Sequence, residues 1–257
     1  MATIDKYSLA TVHLEIRSKA GPLSEATGFY WDFEGRRYLV TNWHCFSGRD
    51  VFTRAPVSGW AEPSSIKISW PDPQAFTFLR SIEIELRDPD GLPRWSVHPN
   101  LGSAADIAAL VIADQTAKEV PAIFDLPREQ LMIRVGMDVF ILGYPYGLRS
   151  TNLPIWKRGS LASEPQALTQ DQPYRLVDTA SRPGMSGAPV IRRSWGYHEM
   201  EDGNFWGGES ALTMMIGIYS GRLVSKAPLD AQLGIMWPVE LIIETVVMGQ
   251  PDDGRDP

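Results

Sequence analysis

Short segments in which apolar and polar residues alternate dominate the first part of this sequence. Residues 8–17 (SLATVHLEIR) alternate in this way, as expected for a strand with one buried face. The apolar segments 26–33 and 37–41 flank the turn sequence DFEGRR, and together they predict a hairpin that ends just before residue 44. The N-terminal part of the chain is therefore predicted to be built from antiparallel strands.

Further short strands are predicted along the rest of the chain, separated by Pro, Gly and Asp. They cover residues 51–53, 66–70, 76–79, 82–86, 131–144, 159–163, 174–179, 188–192, 214–220 and 234–237. A helical apolar pattern in 240–248, stopped by Gly249, predicts a final helix. The polar residues 250–257 contain Pro, Gly and three Asp and predict a disordered tail.

One stretch, SRPGMSGAPVI at 181–191, has the features of a nucleophile loop. Ser186 lies there between Gly184 and Gly187, directly before an apolar segment. A serine hydroxyl needs a base to take its proton and N–H donors to stabilise the oxyanion that it creates. Gly184 would permit a turn that brings its own N–H and that of Ser186 together. A Gly-Pro turn between two strands has the same composition, so this stretch alone leaves both interpretations open.

A histidine and an aspartate occur where such a serine would need them. His44 follows an apolar segment in VTNWHCF, and Asp106 begins the apolar segment DIAALVI, where a strand end can shield a carboxylate. The order His, Asp, Ser is one of the known chain orders of a Ser-His-Asp triad. The other aspartates considered are flanked by turn residues or polar chain: Asp50, Asp88, Asp90 and Asp114.

These motifs give the chain a family resemblance. TNWHC, ADIAAL and PGMSGAP resemble the TAAHC, DIALL and GNSGGP motifs of the trypsin-like (chymotrypsin-fold) serine peptidases, in the same order. FILGYPYGL (140–148) and LGIMWPVE (233–240) are similar to strands of the bacterial HtrA/Deg-type branch. The resemblance covers roughly residues 8–247, as judged from the motifs.

The resemblance implies an all-β fold with two antiparallel six-stranded β-barrels of the chymotrypsin type and a C-terminal helix. In a single peptidase domain, residues 8–120 would form the first barrel, 121–239 the second and 240–249 the helix. The PDZ module that follows many HtrA-type peptidases is expected to be absent, because only the polar tail remains after the helix.

The same resemblance implies a serine endopeptidase that cleaves polypeptides through an acyl-enzyme. His44 would take the proton of Ser186, and Asp106 would orient His44. Gly184, Met185 and Ser186 would form the oxyanion hole, with the N–H groups of Gly184 and Ser186 as donors. In secreted relatives, zymogen cleavage makes a new N-terminus that pairs with an aspartate directly before the catalytic serine. Met185 holds that position here. Control of the activity by a regulatory partner or by an oligomer is therefore expected instead.

The substrate pocket implied by the resemblance consists of Ala180, Ser220, Gly221, Arg222 and Gly234. Ala180 has no charge that could pair with a Lys or Arg side chain, and Gly234 would leave room for a medium side chain. A preference for small or medium aliphatic residues is therefore expected. Acidic specificity is the alternative, if Arg222 points into the pocket.

Charge and composition bear on partners and location. The net charge is −7 and the 24 basic residues are scattered, which argues against a nucleic-acid surface. No segment approaches the roughly 20 apolar residues of a membrane span, and the N-terminus lacks the pattern of an export signal. Cys45 is the only cysteine, so a reducing, cytoplasmic location is predicted for a soluble protein.

No cofactor or metal is expected, because the remaining histidines, His13, His98 and His198, match no zinc motif. Two other function classes stay open. The chain could be a binding or regulatory module that keeps the fold without the activity. It could also be a peptidase dedicated to one partner, or to itself, in a larger assembly, with the long loop 50–100 and the polar loop 194–208 as docking elements.

Overall fold

The structure is a computed structural model that describes residues 4–57, 61–123, 130–222 and 232–253. Its strands are β1 (Thr11–Ser18), β2 (Gly21–Phe33), β3 (Arg36–Thr41), β4 (Ser65–Pro71), β5 (Leu79–Glu85), β6 (Trp95–Val97), β7 (Ala108–Ile112), β8 (Asp138–Gly143), β9 (Ile155–Leu161), β10 (Arg175–Asp178), β11 (Ala188–Glu199), β12 (Phe205–Arg222), β13 (Leu233–Pro238) and β14 (Gln250–Pro251). Its α-helices are α1 (Lys6–Ala10), α2 (Trp43–Ser47) and α3 (Val239–Met248), and short 3-10 helices lie at Gln115–Glu119 and Pro145–Gly147. The predicted all-β fold class is confirmed.

The N-terminal sheet contains eight antiparallel strands in the order β14-β6-β7-β3-β2-β1-β4-β5. The predicted buried face of β1 is present, since Val12, Leu14 and Ile16 are buried and pack in one core with Ile66 and Ile68 of β4. The other face is not exposed as predicted, because Thr11 and His13 are buried as well. The sheet has two strands more than the six predicted. One of them, β14, comes from the C-terminal end of the chain and pairs with β6.

The C-terminal sheet is a closed barrel of six strands in the order β10-β13-β12-β11-β8-β9, as predicted. A shared apolar cluster packs the two sheets against each other. It includes Phe29, Val40 and Ala109 from the first sheet and Leu142, Ile218 and Trp237 from the barrel. The strand ends that carry the candidate site residues meet along this junction.

Several segments differ from the prediction. Residues 8–10, predicted as the start of a strand, belong to α1, and of the predicted strands 76–79 and 131–144 only residues 79 and 138–143 lie in strands. Residues 51–53, predicted as a strand, form a turn, because the carboxylate of Asp50 accepts the backbone N–H groups of Phe52 and Thr53. Residues 194–208, predicted as a polar loop, form the end of the β11–β12 hairpin, in which Glu199 pairs with Phe205.

The C-terminal segment is also ordered where the sequence predicted a disordered tail. Asp252 is buried, and its Oδ2 accepts the indole N–H groups of Trp43 and Trp95, each at 2.8 Å. Two buried indole donors require an acceptor, and this carboxylate supplies it. The prediction is therefore wrong for residues 250–253, while residues 254–257 lie outside the described residues. The bond from Trp43 connects the C-terminal segment to α2.

In the described part of the chain, none of the helices combines the length and the apolar character that crossing a membrane would require. The cytoplasmic location stays a prediction.

Candidate active site

His44 lies on α2, a single helical turn that directly follows the end of β3. Gly48 ends this turn in the left-handed conformation, with φ 71°, and its N–H donates to the carbonyl of His44 at 3.0 Å. Glycine adopts this conformation without a steric penalty. The side chain of His44 is 18% exposed, so the turn presents the imidazole at the surface while most of it stays packed.

Asp106 lies just before β7 and is completely buried. Its Oδ2 is 2.6 Å from Nδ1 of His44, and its Oδ1 accepts the backbone N–H of His44 at 2.9 Å. The hydroxyl of Ser220 also donates to Oδ2. A proton on Nδ1 is needed to donate to this carboxylate, which leaves Nε2 as the basic nitrogen of the ring.

Two opposing effects act on the pKa of His44. Burial disfavours the charged imidazolium and lowers the pKa. The negative charge and hydrogen bond of Asp106, with a smaller contribution from Cys45, favour the imidazolium and raise it. The attraction prevails, and the pKa of His44 is raised well above its ordinary value.

Ser186 is held between two glycines whose backbone conformations suit no other residue. Gly184 has φ 90° and Gly187 has φ 82°. A Cβ at Gly184 would lie 2.2 Å from the carbonyl oxygen of Tyr144, and one at Gly187 would lie 2.0 Å from that of Thr27. The tight turn expected from the sequence PGMSG is therefore present.

Hydrogen bonds hold this loop against the N-terminal sheet. The backbone N–H of Thr27 donates to the carbonyl of Ser186 at 2.8 Å, and its hydroxyl donates to the carbonyl of Gly184 at 2.7 Å. The N–H of Met185 donates to the carbonyl of Arg182. By contrast, the N–H groups of Gly184 and Ser186 donate to no other described residue.

His44 and Ser186 both line two neighbouring cavities, of about 500 and 870 Å³. The larger cavity is also lined by Asp106, Ser220 and Gly221. Within the described residues, no hydrogen bond joins the Ser186 hydroxyl to His44. Such bonds are often long or absent in an enzyme that holds no substrate. The structure thus brings the three candidate residues to one cleft.

The region predicted as the substrate pocket is smaller than expected. A Cβ at Gly234 would lie only 2.2 Å from Cε2 of Tyr219, so the ring of Tyr219 lies directly against Gly234. The space between Tyr219 and Ala180 is too small to hold a water molecule. The expected room for a medium side chain beside Gly234 is therefore wrong, because the tyrosine ring occupies it. The backbone of Arg222 pairs with Gly234, but its side chain lies outside the described residues.

Three contributions to this site were not predicted. Ser220, which was expected to line the substrate pocket, donates a hydrogen bond from its hydroxyl to Asp106. Tyr219, the residue before it, fills the space beside Gly234. Asn42 directly precedes α2, a position where an asparagine side chain often accepts a backbone N–H of the helix. Its side chain makes no such capping bond. It bonds to the backbone of Asp106 and Gly187 instead. Only the position of Asn42 beside His44 could have drawn attention to it.

Several of the other aspartates and histidines considered from the sequence have other hydrogen-bond partners. Asp50 accepts N–H groups within its own turn, and Asp114 accepts the N–H and hydroxyl of Thr116. His98 contacts Glu244 at 2.8 Å, and His13 contacts Arg149 at 2.7 Å. No group of three or more His, Cys, Asp or Glu side chains in the described ranges could hold a metal ion.

The comparison with known proteins agrees with this geometry. The family model of the trypsin-like peptidase domain matches residues 26–196, a range that contains all three candidate residues. No curated protein matches the sequence. Among solved structures, the serine endoprotease from Yersinia pestis is similar in fold, with a TM-score of 0.51 and 17% identity. The similarity covers 96% of this chain and 66% of that one, so this chain spans just under two thirds of the relative's length.

Two further solved structures are similar at lower scores. The MamO protease domain from Magnetospirillum magneticum, in its apo form, has a TM-score of 0.49 and 15% identity, covering 93% of this chain and 96% of that chain. The thermostable serine protease AL20 from an extremophilic microorganism has a TM-score of 0.49 and 11% identity, covering 91% and 93%.

Proposed function

Because this chain belongs to the trypsin-like peptidase family, we propose that it is a serine endopeptidase in which His44, Asp106 and Ser186 are the catalytic residues. The observation that carries the proposal is the buried carboxylate of Asp106, 2.6 Å from Nδ1 of His44, in a cleft that Ser186 also lines. The substrate class is polypeptide, and no step requires a cofactor.

In the first half of the reaction, Ser186 attacks the carbonyl carbon of a peptide bond. Nε2 of His44 takes the hydroxyl proton as the bond to carbon forms. Asp106 keeps the proton of His44 on Nδ1 and stabilises the imidazolium that results. The raised pKa of His44 supports this role, since the same carboxylate that raises it favours the charged ring.

The negative charge on the carbonyl oxygen is stabilised by the N–H groups of Gly184 and Ser186. The left-handed backbone of Gly184 supports this assignment, as does the lack of another described acceptor for either N–H. Each donor of this kind contributes roughly 3 kcal/mol in the transition state. The N–H of Met185 donates to Arg182, so Met185 connects the two donors without being one.

The second half of the reaction reverses these proton transfers. His44 gives its proton to the leaving amine, and the acyl group stays on Ser186. Water then loses a proton to His44 as its oxygen attacks the acyl carbon, and His44 returns that proton to the Ser186 oxygen as the bond to the acyl group breaks.

Cleavage of an unfolded polypeptide by the purified chain tests the proposal. We expect cleavage that is abolished in Ser186→Ala and unchanged in Ser47→Ala, a serine on the same helix as His44. Cleavage that persists in Ser186→Ala would mean that another nucleophile or a contaminant is responsible, and the assignment would be wrong.

We expect the rate of hydrolysis to depend on pH through His44. The base must be neutral to accept a proton, and the pKa of His44 is raised above its ordinary value by Asp106. The rate at low substrate should therefore rise with pH, with a midpoint above about 6.5. A pH profile of kcat/KM measures this midpoint. A midpoint clearly below 6.5 would contradict the electrostatics proposed for the His44–Asp106 pair.

The pocket geometry predicts which substrates are accepted. We propose that the side chain before the scissile bond points into the space that the Tyr219 ring fills beside Ala180, so that the smallest residues, Gly and Ala, are preferred there. Tyr219→Val should open this space and raise the selectivity for Leu over Ala by roughly 10-fold or more. A peptide-library profile measures the change, with Tyr197→Val on the exposed hairpin as control. An unchanged profile in folded Tyr219→Val would contradict the assignment.

A second candidate function is that of a peptidase dedicated to one partner. The aromatic side chains exposed at the end of the β11–β12 hairpin favour it. Four aromatic side chains are more than half exposed there: Trp195, Tyr197, Phe205 and Trp206. Exposed aromatic groups of this kind are typical of protein contacts. This candidate predicts slow cleavage of generic peptides by a chain whose Ser186 nevertheless reacts with a small active-site probe. Fast cleavage of many unrelated peptides would argue against it.

A further inference from the structure

Asn42 is completely buried between β3 and α2. Its side-chain Nδ2 donates to the backbone carbonyl of Asp106 at 2.7 Å, and its Oδ1 accepts the backbone N–H of Gly187 at 2.5 Å. Asn42 is also two residues before His44 in the chain. One side-chain amide therefore connects the segments that carry the three residues of the proposed triad.

We propose that Asn42 is a positioning residue that sets the distance between the Ser186 loop and the His44–Asp106 pair. The proposal rests on the proposed peptidase function. Its physical basis is that the three segments are far apart in sequence, since Asp106 lies 64 residues and Gly187 lies 145 residues from Asn42. Their relative placement depends on tertiary contacts, and an error of about 1 Å can lower a rate by roughly 10²-fold.

The other connections between the serine loop and Asp106 are less direct. One of them runs through β12, where Tyr219 bonds to Gly187 and the hydroxyl of the next residue, Ser220, donates to Asp106. Thr27 holds the carbonyl groups of Gly184 and Ser186, and the carbonyl of Tyr219 accepts the N–H of Gly187 at 2.9 Å. Neither residue bonds to Asp106 itself. Within the part of the chain that the structure describes, Asn42 is the one side chain that bonds to both the serine loop and the aspartate segment.

The site requires an amide, because Asn42 must donate on one side and accept on the other. An ionised aspartate has the same shape but can only accept. Asn42→Asp would keep the bond from Gly187, lose the bond to Asp106 and place a negative charge against the carbonyl oxygen of Asp106. The change keeps the shape of the side chain, but it buries a carboxylate that lacks a donor on one side, which lowers the free energy of unfolding.

The test compares Asn42→Asp with Asn152→Asp in the full chain. Asn152 is a matched control, because its Nδ2 also donates to a backbone carbonyl, that of Phe76, at 2.8 Å. We expect kcat of Asn42→Asp for a peptide substrate to fall by roughly 10²-fold with little change in KM. Asn152→Asp should keep the wild-type kcat. Thermal unfolding establishes that both variants are folded at the assay temperature.

A pH series separates positioning from a general structural effect. A protonated carboxyl group can donate and accept like an amide, so the ratio of the Asn42→Asp rate to the wild-type rate should rise as the pH falls. The ionisable groups at this position are His44 and Cys45 on α2 and Asp106 opposite it. The new carboxylate would raise the pKa of His44 in the variant only, so each rate is first divided by the fraction of neutral His44 taken from that protein's own pH profile.

The proposal would be overturned by a folded Asn42→Asp variant whose rate equals that of the wild type at every pH, together with a folded Asn42→Ala variant that reacts with a fluorophosphonate probe at the wild-type rate. If Asn42→Asp does not fold, Asn42→Ala takes its place, and its reaction with a fluorophosphonate probe should be slower than that of the wild type. A reaction at the wild-type rate would overturn the proposal equally. A wild-type chain that neither cleaves peptides nor reacts with the probe would instead refute the peptidase function, and the role of Asn42 with it.

Discussion

His44→Ala and Ser186→Ala will each lower kcat for peptide hydrolysis by roughly 10⁶-fold, and the double variant will be no slower than either single variant. The reason is that the two side chains act as one unit: without its base the Ser186 hydroxyl is a poor nucleophile, and without the nucleophile His44 has no proton to take. Steady-state kinetics of the three variants measure the effect. Binding and the oxyanion donors remain, so a small residual rate above that in water is expected.

The double variant is the informative part of this experiment. If the two losses multiplied, His44 and Ser186 would be contributing independently, and a shared proton transfer between them would be wrong. Ser47→Ala serves as control, because it removes a hydroxyl from the same helical turn as His44 without touching Asp106 or Ser186.

Asp106→Asn will lower kcat by roughly 10⁴-fold while the fold remains intact. The carboxylate of Asp106 accepts from Nδ1 of His44 and from the hydroxyl of Ser220. An amide can present an N–H to the ring, which places the ring proton on Nε2 and removes the basic nitrogen from the cleft. Kinetics combined with thermal unfolding measure the effect.

Asp114→Asn is the matched control for this substitution. Asp114 accepts hydrogen bonds from Thr116 in its own turn, and its loss should leave kcat unchanged. If Asp106→Asn kept near-normal turnover, the buried carboxylate would have no part in catalysis. Asp50, which also lines the larger cavity, would then be the next carboxylate to test.

The positions of the candidate triad could be predicted because each residue lies beside a strand with a strong apolar pattern. His44 follows β3, Asp106 precedes β7 and Ser186 precedes β11. Those patterns arise from burial, which acts locally on the sequence. The loop glycines were predictable for a similar reason, since a positive φ at Gly184 excludes most other residues.

Contacts between distant segments could not be predicted in this way. The two indole groups that make Asp252 a buried acceptor come from Trp43 and Trp95, and no local pattern connects them to the C-terminal segment. The ring of Tyr219 against Gly234 has the same character, because the two residues meet across β12 and β13. The polar composition of residues 250–253 indicated disorder, and the bonds that order them became visible only in three dimensions.

Reaction of the native chain with a fluorophosphonate probe, followed by mass-spectrometric identification of the modified residue, tests the central claim most directly. The probe forms a covalent bond only with a serine that a neighbouring base activates. We expect one label per chain, on Ser186, that is absent in Ser186→Ala and nearly absent in His44→Ala. No label on the folded wild-type chain, or a label on another residue, would contradict it.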